Sequence, residues 1–303
     1  MEQVVRGGPA GLCGTAAARL VDLDRPVVLA VLNVTPDSFS DGGLWAREDD
    51  AVLHGLALVA AGADAVDVGG ESTRPGAARV PEHEELRRVV PVVRRLAADG
   101  VPVSIDTTRA AVAAAALAAG AVVVNDVSGG TADPGMARVV AEAGCPFVVM
   151  HSRGESADMD RHAGYGDVVT DVVDELRRRV DVLVGGGVRP DRLVLDPGIG
   201  FAKTASDNWS LLGGLERLDA LGLPLLVGVS RKRFLGALLA APDGTPRDVE
   251  HREDASHAVA ALLAAHGVWG VRAHTARPTA DAVRVGAAWR RARGAVTEQD
   301  RSS

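Results

Sequence analysis

The sequence predicts an α/β protein of the (β/α)8 TIM-barrel class, and three observations carry that expectation. Eight short aliphatic runs recur along the chain, each carrying or ending in a polar residue. Between them lie Ala-, Leu- and Arg-rich stretches with apolar residues three or four apart, a helical period often closed by Gly. Eight such units in about 265 residues match a closed barrel in both length and count.

The strands follow in order. Val27–Leu32 ends on Asn33, and Ala65–Val68 carries Asp67 and runs into Gly69-Gly70-Glu71. Val103–Ile105 ends on Asp106, Val122–Val124 on Asn125-Asp126, and Phe147–Met150 on His151. Leu193–Leu195 ends on Asp196, Leu225–Val229 on Ser230 with Arg231-Lys232-Arg233 behind it, and Val268–Ala273 holds Arg272 and ends on His274. Helices are expected over Asp49–Ala61, Pro81–Ala98, Arg109–Ala119, Pro134–Ala143, Asp167–Val184, Ala255–Ala265 and Pro278–Arg291, with Asp254 as an N-cap. Asn208–Leu221 is a weaker helix because Gly213-Gly214 interrupts it. A doubly wound open sheet would want Gly-x-Gly-x-x-Gly after the first strand. The turn there reads Asn-Val-Thr-Pro-Asp, so the barrel is preferred. Residues 1–24 are expected as a disordered leader, 25–292 as one barrel domain and 293–303 as a disordered tail.

Composition narrows the function classes. Of 303 residues 47% are hydrophobic but only 3% aromatic, so the core is built from Ala, Val and Leu. A net charge of −7 without a basic, aromatic-interleaved patch argues against nucleic acid as a partner. Cys13 and Cys145 are too few for a disulfide framework, and no apolar run reaches about 18 residues, so a cytoplasmic protein is expected.

In a parallel barrel every strand ends on the same rim, where such folds place their active sites. The polar strand residues then form one ring: Asn33, Asp67, Asp106, Asn125, His151, Asp196, Lys232, Arg272 and His274. Asp106, Asn125 and Asp196 suit a flat heterocycle with a guanidine-like N–C–N edge, because a carboxylate accepts two N–H bonds in one plane. A cap on the following helix is the plainer use of Asp106 or Asn125. Lys232, Arg272, His274 and Asn33 suit an anion or phosphate. His151 fits a rim ligand or a hydrogen-bonded strand end equally well. Two Gly- and Pro-punctuated loops, Val34–Arg47 and Glu71–Val80, stand over the rim and are placed to close on a ligand. Glu84-Glu85 and Arg177–Arg179 read as solvated helix faces.

With these residues assembled, the chain resembles the dihydropteroate synthase family. The resemblance rests on Asn33-Val34-Thr35-Pro36-Asp37-Ser38-Phe39-Ser40-Asp41-Gly42-Gly43, on Asp67-Val68-Gly69-Gly70-Glu71-Ser72-Thr73-Arg74-Pro75-Gly76, and on Ser104-Ile105-Asp106-Thr107. It continues in Asn125-Asp126-Val127-Ser128-Gly129-Gly130, Asp196-Pro197-Gly198-Ile199-Gly200-Phe201 with Lys203, and Ser230-Arg231-Lys232-Arg233-Phe234-Leu235-Gly236. Six segments in order, over roughly residues 27–290, make it specific. One departure is Thr275, where the family usually has Asp after the His. The resemblance implies condensation of 6-hydroxymethyl-7,8-dihydropterin diphosphate with 4-aminobenzoate, together with Mg²⁺ and a homodimer. It implies that Asp106, Asn125, Asp196 and Lys232 hold the pterin. Asn33, Arg272 and His274 would hold the diphosphate, with Asn33 beside the metal. Thr73, Arg74, Pro75, Phe201 and Arg233 would shape the 4-aminobenzoate site, and Asp37 would act from the first loop with Lys232, Arg272 and His274 as catalytic groups. Sulfonamides, as 4-aminobenzoate mimics, should inhibit. The alternatives are a methyltetrahydrofolate–corrinoid methyltransferase and a catalytically silent pterin-binding paralogue.

Overall fold

Eight parallel strands close into a barrel in the computed structural model, which describes residues 20, 23–35, 44–71, 79–153 and 164–302. The strands are β1 (Val27–Asn33), β2 (Ala65–Gly69), β3 (Val103–Asp106), β4 (Val123–Asp126), β5 (Phe147–Met150), β6 (Leu193–Asp196), β7 (Leu226–Gly228) and β8 (Gly270–Ala273). Their order is β6-β5-β4-β3-β2-β1-β8-β7, each neighbour pair parallel. A Leu195–Leu225 bridge closes the ring, supported by Leu195 N–H donating to the Pro224 carbonyl at 2.8 Å.

Helices pack outside: α1 (Leu44–Ala60), α2 (Glu82–Ala98), α3 (Ala110–Ala118), α4 (Met136–Ala143), α5 (Val168–Gly185), α6 (Ala205–Gly213), α7 (Leu215–Asp219), α8 (Arg233–Leu238), α9 (Glu253–His266) and α10 (Ala276–Ser302). The segment over 208–221 splits at Gly214 into α6 and α7. The short α8 was not expected from the sequence. Asp167 caps α5 by accepting from the Val169 and Thr170 amides, but Asp254 is not a cap, because α9 begins one residue earlier at Glu253. The expected disordered tail is instead helical, with α10 continuing to Ser302. Ala, Arg, Glu and Gln there are good helix formers, and the single Gly294 costs only about 1 kcal/mol.

Strand alternation sorts side chains into two cores. Val28, Ala30, Leu32, Val66, Val68, Val103, Ile105, Val124, Phe147, Val149, Leu193, Leu195, Val227 and Val271 point outward and pack in the core beneath the helices. Val27, Leu29, Ala65, Val123, Val148, Val194 and Leu226 point inward and fill the lower barrel. Because the side-chain period is two, the next inward positions upward are Asp67, Asn125, Met150, Asp196 and Gly228. Among the described residues no helix is long and apolar enough to cross a membrane.

One close approach seals the α9–α10 pair. A Cβ on Gly286 would lie 2.1 Å from the Ala261 carbonyl oxygen and 2.7 Å from the Ala264 Cβ. Gly286→Ala is expected to lower stability by roughly 1–3 kcal/mol in urea unfolding, through overpacking. Gly185→Ala, at an exposed position where a Cβ meets nothing within 4 Å, is the control. Its expected effect is neutral to about 1 kcal/mol stabilising.

Candidate active site

The inward residues at the carboxyl ends of the strands meet in one polar layer. Asn125 on β4 donates its amide to Asp67 Oδ2 on β2 at 3.0 Å. Asp196 on β6 accepts the Gly198 amide on Oδ1 and Arg272 Nη2 from β8 on Oδ2, each at 2.8 Å. Asp106 on β3 stands in register with Asn125 and Gly69. Arg272 fits because β7 carries Gly228 opposite it: a Cβ there would sit 3.3 Å from the guanidinium. The layer is not split into an acidic and a basic flank, since Arg272 reaches across to Asp196.

Its electrostatics follow from burial. Desolvation holds the Asp106 carboxyl well above its ordinary range, with neighbouring Asp67 adding to the effect. Asp67 is also raised by burial, and Arg272 works against that shift. Among the described residues the buried Asn125 Oδ1 and Arg272 Nη1 have no hydrogen-bond partner, while Asp67 is held by Ser104 and Asn125. An amide acceptor and a guanidinium donor thus stand unsatisfied beside the Asp106 and Asp196 carboxyls, which suits a planar ligand rich in N–H groups and carrying an anionic arm.

The loops after β6 and β7 build the other wall. Lys232 stands at the residue before α8 and donates its ammonium to the Ile199 carbonyl, with Nζ 4.8 Å from the centre of the Phe201 ring. A Cβ on Gly200 would lie 2.9 Å from Lys232 Cδ, so that glycine admits the lysine stem. Burial pulls the Lys232 pKa down to about 7, Asp196 opposing and Arg272 reinforcing the shift. Arg233 is exposed at the first position of α8. Ser230 Oγ lies 3.0 Å from His274 Nδ1 and accepts the His274 amide at 3.2 Å, which fixes the imidazole at the end of β8. Thr275 is tied to Glu253 at 3.3 Å and to His257 at 2.9 Å, so a carboxylate from α9 serves this corner.

Several sequence expectations resolve here. Asp106, Asn125, Asp196, Lys232, Arg272, His274, Phe201, Arg233 and Asn33 all stand at the carboxyl end of the barrel. Asp37, Thr73, Arg74 and Pro75 lie outside the described residues. His151 is the hydrogen-bonded strand end: it follows inward Met150, so it points outward to Glu175 at 2.9 Å. Glu85 is not solvated but buried, accepting from Thr107 Oγ1 at 2.7 Å and from Arg109. Arg179 likewise turns inward to the Met150 and Ser152 carbonyls. Asp67, a ring member to which the sequence assigns no role, holds the Asn125 amide, and its spacing of two from Ala65 puts it on the inward face.

Fold and site together define a barrel enzyme that holds a nitrogen heterocycle at the mouth. Residues 29–274 match the family described as pterin binding enzyme, and the chain belongs to that family. It is 58% identical over 263 residues to the dihydropteroate synthase of Mycobacterium leprae (strain TN), covering 86% of this chain and 93% of that one. Among solved structures it is similar to the Xanthomonas albilineans dihydropteroate synthase with 4-aminobenzoic acid, at TM-score 0.80 and 45% identity, covering 88% of this chain and 93% of that one. The same enzyme in complex with 7,8-dihydropteroate aligns at TM-score 0.79 and 40% identity, over 93% of this chain and 98% of that one.

The lowered Lys232 pKa has a measurable sign. Burial pulls the Lys232 pKa of the folded protein down to about 7, whereas in the unfolded chain it lies at about 10.4. The unfolded state therefore binds the extra proton between those values, and this residue's contribution to stability grows as pH rises through that window. Comparing Tm for Lys232→Met and the parent from pH 7 to 10, the difference should move steadily in the parent's favour. A pH-independent difference would mean that the ammonium is effectively in water.

Proposed function

We propose that the chain joins 6-hydroxymethyl-7,8-dihydropterin diphosphate to 4-aminobenzoate, forming 7,8-dihydropteroate and diphosphate. The observation that carries the reading is the barrel-mouth cluster of inward Asp106, Asn125 and Asp196 with Lys232 and Arg272, in a chain so similar to dihydropteroate synthases. In the reaction the amine nitrogen bonds to the pterin methylene, the methylene C–O bond to diphosphate breaks with its electron pair, and the amine gives up one proton.

Each group has a physical role. Asp196 and Asp106 accept the N–H groups of the pterin edge, and Asn125, tied by its amide nitrogen to Asp67, offers Oδ1 as an acceptor. Binding at Asp196 competes with Arg272, which holds Oδ2 in the ligand-free protein. The arriving pterin thus releases a guanidinium toward the diphosphate, where His274, fixed by Ser230, joins it. Bond breaking leads and amine attack follows: an aromatic amine is uncharged at pH 7 and needs no base, so the difficult event is departure of the diphosphate. Arg272 and His274 stabilise that departing charge. Phe201, Arg233, Thr73, Arg74 and Pro75 shape the 4-aminobenzoate site, and Asp37 belongs to the loop that closes over it and excludes water.

Among the described residues no three His, Cys, Asp or Glu side chains are grouped to hold a metal. Mg²⁺ needs no such cage, because it is often bound by one or two protein oxygens with waters and substrate phosphates. The Asn33 Oδ1 at the end of β1, on the same side of Gly69 as Asp106 Oδ2, is a hard oxygen donor that fits this mode. Asn33 would hold Mg²⁺ against the diphosphate, where the ion would neutralise the charge of the leaving group. For assembly we propose a homodimer, supported by Leu262, Val285 and Trp289 on α9 and α10, which are 68%, 66% and 63% exposed. Cytoplasmic placement agrees with the low cysteine count.

Direct assay of diphosphate release from the two substrates with Mg²⁺ tests the reading, and binding without release would favour a silent pterin binder. Asp196→Asn should weaken pterin binding by about 2–5 kcal/mol, since it removes one partner of a buried charged contact. Calorimetry showing near-parental affinity would assign the pterin edge to another residue. Because departure of diphosphate precedes attack, 4-aminobenzoate should bind tightly only once pterin and diphosphate are present. Tight binding to the empty protein would contradict that order, and sulfonamides should follow the same dependence.

A further inference from the structure

The loop between β6 and α6 carries much of the site. Its Asp196 holds Arg272, its Ile199 carbonyl accepts from Lys232, and its Phe201 ring faces the same lysine. Its backbone is demanding: Gly198, Gly200 and Ala202 have φ of 66°, 79° and 49°, and a Cβ on Gly198 would lie 1.8 Å from the His151 carbonyl oxygen. Such a conformation persists only where the surroundings over-determine it.

Lys203, at the end of the loop, supplies that determination. Its buried Nζ lies 3.0 Å from the Gly198 carbonyl, 3.0 Å from the Phe201 carbonyl and 3.0 Å from His151 Nδ1. With Lys203 as the ammonium, which has three donors and no acceptor, all three are used and His151 Nδ1 accepts. The imidazole proton then sits on Nε2 and is donated to Glu175 at 2.9 Å, a carboxylate that Arg153 holds in turn at 2.5 Å. Burial keeps this imidazole neutral, pulling its pKa down to about 4. The chain Arg153–Glu175–His151–Lys203 thus runs from α5 and the end of β5 into the backbone of the β6 loop. No role proposed above for substrate contact uses any of its four members.

We propose that Lys203 is a positioning residue that clasps the β6 loop, and that through the Phe201 carbonyl it sets the 4-aminobenzoate site more than the pterin site. The two sites separate because Asp196 is also anchored from outside the loop, by Arg272 on its carboxylate and by the His151 amide donating to its carbonyl at 2.9 Å, whereas Phe201 depends on the clasp. Phe201's N–H donates to the Gly198 carbonyl at 3.0 Å, the same oxygen Lys203 holds, so losing the ammonium loosens both ends of that turn. This inference rests on the proposed reaction for its kinetic consequence, though not for its structural one.

The test uses the full-length Lys203→Met variant, with amide hydrogen exchange of the 197–203 segment and KM for both substrates. Exchange should accelerate in 197–203 while β1 and β2 stay protected. KM for 4-aminobenzoate should rise on the order of ten-fold, with KM for the pterin diphosphate changing by less than about three-fold, as a small misplacement at one subsite implies. If Lys203→Met does not fold, Glu175→Gln, which weakens the hold on His151 from a part-exposed position, should give the same pattern at smaller size. Folded variants with parental exchange in 197–203, with uniform deprotection of the whole barrel, or with both KM values moving together would overturn the clasp. A parent protein that releases no diphosphate would instead sink the proposed reaction, and the exchange experiment would still judge the clasp.

Discussion

Everything at the barrel mouth depends on one ion pair, Asp196 with Arg272, at 2.8 Å. Asp196 is 1% exposed, and removing either partner would leave the other charge buried and uncompensated, which is strongly destabilising. The pair exists because three strands agree: β6 ends on an inward carboxylate, β8 carries an inward arginine, and β7 offers Gly228 as the space between them. Once Arg272 is fixed there, its charge is shared with Asp67 and Asp106, both of which burial would otherwise drive further toward the neutral form. One guanidinium among three carboxylic groups leaves an excess of acceptors. The ligand that relieves it must bring N–H donors in a plane, and the geometry therefore selects a class of ligand before any reacting group is considered.

Most of this architecture was legible as a period of two in short strands. Val123 inward makes Asn125 inward and Asp126 outward, and the structure follows: Asn125 joins the mouth, while Asp126 accepts from the Ser128 amide at 2.7 Å and the Gly130 amide at 3.0 Å to shape a turn. The same counting puts His151 outside. What strand spacing does not encode is reach. Arg272 extends from β8 to β6, and Glu85 on α2 bonds to Thr107 just beyond β3, because long side chains span neighbours that are remote in sequence. Those partners needed coordinates. The short α8 was missed for a different reason: a weak helix signal beside Gly and a basic run is settled by packing, with Phe234 and Leu235 buried, not by propensity.

Backbone strain marks the same two loops. Among the described residues only Ala202 and Arg231 are non-glycine positions with positive φ, 49° and 61°, and they follow β6 and β7. Such positions cost about 1–3 kcal/mol each and endure only when neighbours fix them. Ala202 precedes the clasping Lys203. Arg231 is fixed on three sides: its amide donates to Ser256 Oγ at 3.1 Å, its carbonyl accepts from Arg252 at 3.1 Å, and its guanidinium pairs with Glu253. Each strained residue stands one position before a lysine, Lys203 or Lys232, that burial has brought to a pKa of about 7. A left-handed residue reverses the chain locally, so it can turn the next side chain back beneath its own loop where an unstrained backbone would send it to solvent. The strain and the two depressed lysines are then one feature: the fold spends conformational energy to bury ammonium groups at a site that must hold acceptors and anions together.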